Sequence, residues 1–226
     1  MRTSRVEEVM TERVVVGRRD TPFKDIVAAL LDNNVSALPI VDDDWKVVGV
    51  VSDADLVLKE AEPDPSGEWL VEGSRRRSER RKSRATVAGA LMSAPAIVVG
   101  PGDTVAEAAA TMRRRRIRRL PVVHPETGRL VGIVTRSDLL RVFLRPDAEI
   151  RAEVLDGVLR GVLHLDPRAF QVEVTQGILH IRGEVERWSM VDGLVGALLR
   201  VEGLVGVEEQ LSYRQDDRYQ YPAPAF

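Results

Sequence analysis

The sequence predicts an α+β protein: two copies of a βαββα unit, followed by a smaller αββαβ domain. Three observations carry this. The chain repeats itself, because Val6–Leu56 and Val87–Leu139 hold the same short motifs in the same order. A repeat of this length is a supersecondary unit used twice. Within each copy, short β-branched runs alternate with stretches of helical spacing. Beyond residue 146 the repeat stops and a different pattern of helices and strands begins.

In the first copy the β-branched run is Val14–Val16, and in the second it is Ile97–Val99. A helix follows each. Asp20-Thr21-Pro22 and Gly102-Asp103-Thr104 place capping residues ahead of apolar positions, and Pro22 suits a first helical turn. Helical spacing shows as Ile26, Ala29 and Leu30 in the first copy, and as Val105, Ala108, Ala109 and Met112 in the second. Two apolar strands come next, Leu38–Val41 with Val47–Val51, and Leu120–Val123 with Leu130–Val134. Continuous apolar runs predict strands covered on both faces. Second helices begin near Asp53 and near Ser137. Met10 matches Met92 and Pro39 matches Pro121 at one constant offset. Gly49 matches Gly132 and Asp55 matches Asp138 at an offset one residue larger. The extra residue falls in the turn His124-Pro125-Glu126-Thr127-Gly128, whose composition absorbs an insertion.

In the last third, Asp147 opens a helix with Ile150, Val154, Leu155, Val158, Leu159 and Val162 on one face. Phe170–Val174 alternates as a half-buried strand does, and Thr175-Gln176-Gly177 is a turn. Ile178–Arg182 is a second strand closed by Gly183. Trp188–Leu199 reads as a helix loosened by Gly193 and Gly196, and a last strand ends near Leu211. The expected segments are 1–60 and 86–145 for the repeats, 61–85 for a basic linker, 146–213 for the last domain and 214–226 for a flexible tail.

Composition narrows the function classes. A chain of 226 residues with 44% hydrophobic content holds two or three small packed domains. A net charge of −2 excludes a surface that attracts polyanions everywhere. The absence of cysteine excludes disulfides, thiolate metal sites and a cysteine nucleophile. Met1–Arg19 is broken by charges, unlike a signal peptide, and no apolar run reaches the ~18 residues of a membrane span. A cytoplasmic location is therefore expected. The histidines, His124, His164 and His180, are far apart, and no Walker loop, GxGxxG or metal spacing occurs. Neither an enzyme nor a cofactor is expected.

The repeated motifs resemble those of the CBS domain, named after cystathionine β-synthase. The residues that carry the likeness are Val9-Met10-Thr11, Leu38-Pro39-Ile40-Val41 and Gly49-Val50-Val51-Ser52-Asp53-Ala54-Asp55. Their second copies are Leu91-Met92-Ser93, Leu120-Pro121-Val122-Val123 and Gly132-Ile133-Val134-Thr135-Arg136-Ser137-Asp138. The resemblance covers about 110 of 226 residues. It implies two repeats packed as a pseudo-twofold pair, with clefts between them that take an adenosine nucleotide such as ATP, ADP or AMP. It also implies a homodimer and a regulatory role without catalysis.

The residues fit such a ligand. Asp55 and Asp138 can accept hydrogen bonds from vicinal ribose hydroxyls. Ser52 and Thr135 can donate to a phosphate near a helix start. Gly49 and Gly132 would admit a ligand close to the backbone. Val15, Ile97 and Val98 lie in runs that could flank the adenine and read its edge through main-chain groups. A plainer reading stands beside this one: Ser52 and Thr135 precede the aspartates by three residues and could simply cap the second helices. The copies differ in charge. The second carries Arg113-Arg114-Arg115-Arg116-Ile117-Arg118-Arg119, and Arg136 inside its motif. Arg119 and Arg136 are the expected phosphate contacts, around the second copy, and the other arginines read as a solvated helix end.

Between the repeats, Arg75–Arg84 holds seven basic residues and one acid. Such a run suits a solvated linker, or contact with nucleic acid or anionic lipid, and no aromatic residue interleaves with it. The last third resembles a BON domain through Gly177-Ile178-Leu179-His180-Ile181-Arg182-Gly183-Glu184-Val185 and Gly203-Leu204-Val205-Gly206-Val207. BON domains are associated with phospholipid or other envelope components, so the resemblance implies docking to a lipid, to an unidentified protein partner, or within a dimer. The function expected is a nucleotide sensor that signals to a partner. The alternatives are an adaptor for nucleic acid or a membrane surface, and a structural dimeric scaffold with empty clefts.

Overall fold

The computed structural model describes residues 3–57 and 85–218. The basic run Arg75–Arg84, with Trp69 and Leu70 before it, and the end of the tail from residue 219 lie outside the described residues. The chain divides into two compact units. One is Arg5–Asp138; the other joins the residues before Arg5 to those from Leu139 onward.

In the first unit the elements are α1 (Val6–Val9), α2 (Phe23–Asp32), β1 (Ala37–Val41), β2 (Val47–Ser52), α3 (Asp53–Val57), α4 (Ala88–Leu91), α5 (Val105–Arg115), β3 (Arg119–Val123), β4 (Leu130–Thr135) and α6 (Arg136–Leu139). β1 and β2 form an antiparallel hairpin, as do β3 and β4, and each has a register shift one residue before the end of its first strand. All five residues of β1 are buried, as the continuous apolar run predicts.

The β-branched runs are shorter as strands than the sequence suggests. In the first copy the paired residue is Gly17, just after the run, and in the second it is Val99, the last residue of the run. Gly17 bridges Ile40 in parallel and Val99 bridges Val122 in parallel. Proline is the physical reason. Gly17 N–H donates to the Pro39 carbonyl at 3.0 Å, and Val99 N–H to the Pro121 carbonyl at 3.1 Å. The next bond upstream in a parallel ladder would run from residue 39 or 121 to the carbonyl of Val15 or Ile97. Proline has no N–H to give.

The other edge of each hairpin is closed by the opposite repeat. Thr11 and Ile133 exchange two hydrogen bonds of 2.9 Å. Val50 and Ser93 do the same, at 2.9 and 3.1 Å. The segment opening each repeat therefore extends the other repeat's sheet. The core follows the same exchange: Ile26, Leu30, Leu38, Ile40, Val51 and Leu56 of the first repeat pack with Ala85, Ala88 and Leu91 of the second. The repeats seen in sequence are thus not the packing units; each half of the pair borrows residues from the other.

Helix starts differ between the copies. Thr104 caps α5 in a reciprocal box with Glu107, whose carboxyl is held below its usual range by the Thr104 backbone N–H and hydroxyl. In the first copy the cap is Pro22, outside the helix rather than in its first turn, and the Thr21 hydroxyl instead accepts from Arg18 N–H at 2.7 Å.

The second unit contains a 3-10 turn (Leu140–Leu144), α7 (Asp147–Ala152) continuing as a π-helical stretch (Glu153–Val162), β5 (Phe170–Thr175), β6 (Ile178–Arg187), α8 (Ser189–Leu198) and β7 (Gly206–Gln215). The sheet order is β5-β6-β7, with β5 antiparallel and β7 parallel to β6. The core joins Ile150, Val154, Val158 and Leu159 of the first helix to Phe170, Val172, Leu179, Ile181 and Val185 of the sheet. Asp147 clamps the β5–β6 turn by accepting from Gln176 N–H and Gly177 N–H at 2.8 and 2.9 Å. Gly183 does not close β6. It pairs with Phe170, and its missing side chain leaves room for that ring, so the strand runs on to Arg187. The tail likewise starts later than expected: Arg214 belongs to β7, and Asp217 accepts from the Ser189 N–H and hydroxyl. Ser4, ahead of the first repeat, belongs to this unit through hydrogen bonds to the Glu202 carboxylate, while Arg145 bridges the Glu202 carbonyl and the Glu153 carboxylate at 2.7 and 3.0 Å.

The exchange predicts a packing penalty at Gly132. A methyl group there would lie 2.5 Å from the Met10 sulfur and 3.2 Å from the Thr11 carbonyl, whereas one at Gly102 meets nothing within 4 Å. Gly132→Ala should cost about 1–3 kcal/mol in urea denaturation, with Gly102→Ala as the control. Equal midpoints for both variants would sink this account.

Candidate functional site

The two Ser/Thr–Asp motifs sit at matching corners, where β2 turns into α3 and β4 turns into α6. At the first, the Ser52 N–H and hydroxyl both donate to Asp55 Oδ2, at 2.9 and 2.8 Å. At the second, the Thr135 N–H and hydroxyl donate to Asp138 Oδ2 at 2.9 and 2.7 Å, and Asp138 N–H returns a longer bond of 3.4 Å to the hydroxyl. The corners are braced alike: Asp53 N–H donates to the Ser36 carbonyl and Arg136 N–H to the Arg118 carbonyl, both at 3.1 Å. Asp138 is buried, at 7% exposure, while Asp55 is half-buried.

At the second corner both arms of a reciprocal cap are present, and at the first the arm from the carboxylate to the Ser52 N–H is. Each hydroxyl has one proton, and that proton goes to the aspartate. Donation to a phosphate would require the hydroxyl to rotate away from its carboxylate.

The glycines have a packing duty. The space over Gly49 is filled by Met92, whose sulfur lies 2.5 Å from where a Cβ would stand, and that over Gly132 by Met10 in the same way. Close approach of a methionine from the opposite repeat accounts for both glycines. Sequence reasoning missed Met10 and Met92 as partners of these glycines, although both belong to the repeated motif. Nothing in one copy indicates that its methionine serves the other.

Arg119 and Arg136 have different surroundings. The Arg119 backbone pairs with Thr135, as its position requires. Its guanidinium, however, is partly desolvated, which lowers its pKa, and it feels the opposing charges of Asp53 and Asp55 in the first motif. Arg136 turns back to donate to the Ile117 carbonyl at 3.1 Å. Val15 and Ile97 are half-buried and Val98 is exposed at 38%, in the runs whose upstream pairing proline prevents.

No group of three or more His, Asp or Glu side chains placed to hold a metal occurs among the described residues. No helix among them is long and apolar enough to cross a membrane.

The paired hairpins, the exchanged opening segments and the two equivalent corners define a tandem repeat module. The model of the CBS domain matches residues 6–62 and 87–145, and the chain belongs to that family. It is 31% identical over 153 aligned residues to the CBS domain-containing protein CBSX2, chloroplastic, of Arabidopsis thaliana, an alignment covering 62% of this chain and 63% of the relative. The chain thus spans a little under two thirds of that relative's length. A CBS domain-containing protein of Dictyostelium discoideum is 31% identical over 140 residues, covering 62% of this chain and 91% of that one. Among solved structures, CBSX2 in complex with AMP matches at 31% identity with a TM-score of 0.53, over 62% of this chain and 96% of that one. The CBS domain pair of protein MJ0100, at 21% identity and a TM-score of 0.50, shares the fold.

The corner geometry predicts that Asp138 stabilises the fold with or without a ligand. Asp138→Ala leaves two donors of Thr135 without their acceptor and should cost about 1–3 kcal/mol by chemical denaturation. Thr135→Ser keeps the hydroxyl and should lose less. A loss in Thr135→Ser as large as in Asp138→Ala would contradict this.

Proposed function

We propose that the protein is a non-catalytic regulatory sensor that binds an adenosine nucleotide at the CBS pair. The observation that carries this is the likeness, at 31% identity, to a CBS pair solved with AMP, together with two intact Ser/Thr–Asp corners. Asp55 or Asp138 would hold the ribose hydroxyls. The carbonyls of Val15 and Ile97, left out of the parallel ladder by Pro39 and Pro121, would face the adenine edge. Arg119, whose charge is felt by Asp53 and Asp55, would supply the phosphate contact. Ser52 would then release Asp55 as the ligand enters, which couples binding to the start of α3.

The same reading takes the last third, 146–213, as a BON-like domain and the whole as a cytoplasmic homodimer. Support for the former is the αββαβ order and the Gln176-Gly177 turn, both residues at positive φ. Its role would be to present a contact surface to a protein partner. Nucleotide binding shifts the population of pair geometries only if one geometry binds better.

Thermal unfolding against ATP, ADP, AMP and adenosine tests the reading. Ligand at 100 times its dissociation constant should stabilise the protein by about 2.7 kcal/mol. Arg119→Ala should reduce the response to the phosphorylated ligands and leave that to adenosine. No shift with any nucleotide at millimolar concentration would remove the sensor reading.

A further inference from the structure

We infer that the arginine-rich end of α5, with the approach to β3, is a docking surface for the sugar–phosphate backbone of a nucleic-acid duplex. This goes beyond nucleotide sensing and does not depend on it.

The repeat supplies an internal control. In the first copy α2 ends at Asp32, Asn34 takes the left-handed conformation at φ 50, and β1 starts at Ala37. In the second, α5 ends at Arg115, Arg116 takes the same conformation at φ 56, and β3 starts at Arg119. The backbone path is equivalent, so the fold builds this corner without arginine. Arg116 is moreover a poorer left-handed residue than asparagine. Six arginines stand in Arg113–Arg119 where Leu31–Ala37 has none. A favourable helix dipole explains cations in the last turn only, and Arg116, Arg118 and Arg119 lie beyond it.

Their partners do not explain them either. Arg113–Arg116 and Arg118 are exposed. Among the described residues, no carboxylate forms an ion pair with Arg113, Arg115, Arg116 or Arg118. Arg114 reaches only the Thr111 hydroxyl, at 3.4 Å. Five exposed guanidiniums thus repel one another within a protein whose net charge is −2.

A polyphosphate relieves that repulsion. Guanidinium forks pair with phosphate oxygens. A duplex carries one charge per ~1.7 Å of axis, so several clustered guanidiniums can each find a phosphate along it. Residues 99–139 contain no Phe, Trp or Tyr, which removes a stacking platform for single strands. Among the described residues, the large apolar side chains exposed in the first unit lie outside this stretch, so nothing here inserts into a bilayer.

The test is fluorescence anisotropy of labelled DNA and RNA duplexes of about 20 base pairs with the full chain, from low to physiological salt. The comparison is a variant combining Arg113→Gln, Arg115→Asn, Arg116→Asn and Arg118→Ser, with its thermal midpoint checked. The parent should bind at least one duplex in a salt-dependent way. The variant should bind at least about tenfold more weakly, its salt slope smaller by about 0.9 for each phosphate it no longer neutralises. Absence of duplex binding at low salt, or unchanged binding by the folded variant, would overturn the inference. So would binding of phosphatidylserine vesicles with none to duplexes, which would assign the surface to a membrane.

Discussion

Two pairs of backbone hydrogen bonds, Thr11 with Ile133 and Ser93 with Val50, are the constraint on which the CBS module depends. They attach the opening segment of each repeat to the hairpin of the other. In doing so they cover an edge of each sheet that would otherwise expose unpaired polar groups. The methionine ahead of each bridge lies over a glycine of the opposite hairpin, so the ladder and the packing enforce the same register. The apolar residues of α4 stand in the core of the first repeat, so the two repeats share structure rather than standing as separate domains.

On this symmetric frame the two corners are chemically unequal. Both use a hydroxyl and a backbone N–H to fix an aspartate, and both brace the following helix against the strand before it. The difference arises at positions that the frame leaves open. Ala37 is buried beside Ser52, whereas the equivalent residue beside Thr135 is Arg119, a partly desolvated cation. Asp53 in one copy is Arg136 in the other, and Arg136 is occupied by a carbonyl. Symmetry of backbone is thus combined with asymmetry of charge at the two corners.

The second unit is stabilised in a different manner. A parallel crossover from β6 through α8 to β7 makes a small mixed sheet, and a single carboxylate, Asp147, ties the first helix to the β5–β6 turn. Its half-buried ion pair, Arg145 with Glu153, is joined by the Glu202 carbonyl. Charges withdrawn from water are tolerated when they are paired and hydrogen-bonded in this way. That network also engages residue 4, so this unit is assembled from both ends of the chain.

The sequence by itself determined the repeat, the order of helices and strands, and the presence of two Ser/Thr–Asp motifs. These follow from local chemistry: β-branched runs, helical spacing and a carboxylate three residues after a hydroxyl act through neighbours in the chain. The extent of β6 and β7, the exchange of opening segments, and the methionines over Gly49 and Gly132 were decided only by tertiary structure. Each depends on a partner distant in sequence. Gly183 reads as a strand end until Phe170 is seen beside it. Gly132 reads as room for a ligand until Met10 occupies that room. A residue's type states which contacts it can make, but only the fold brings the second partner of each contact into place.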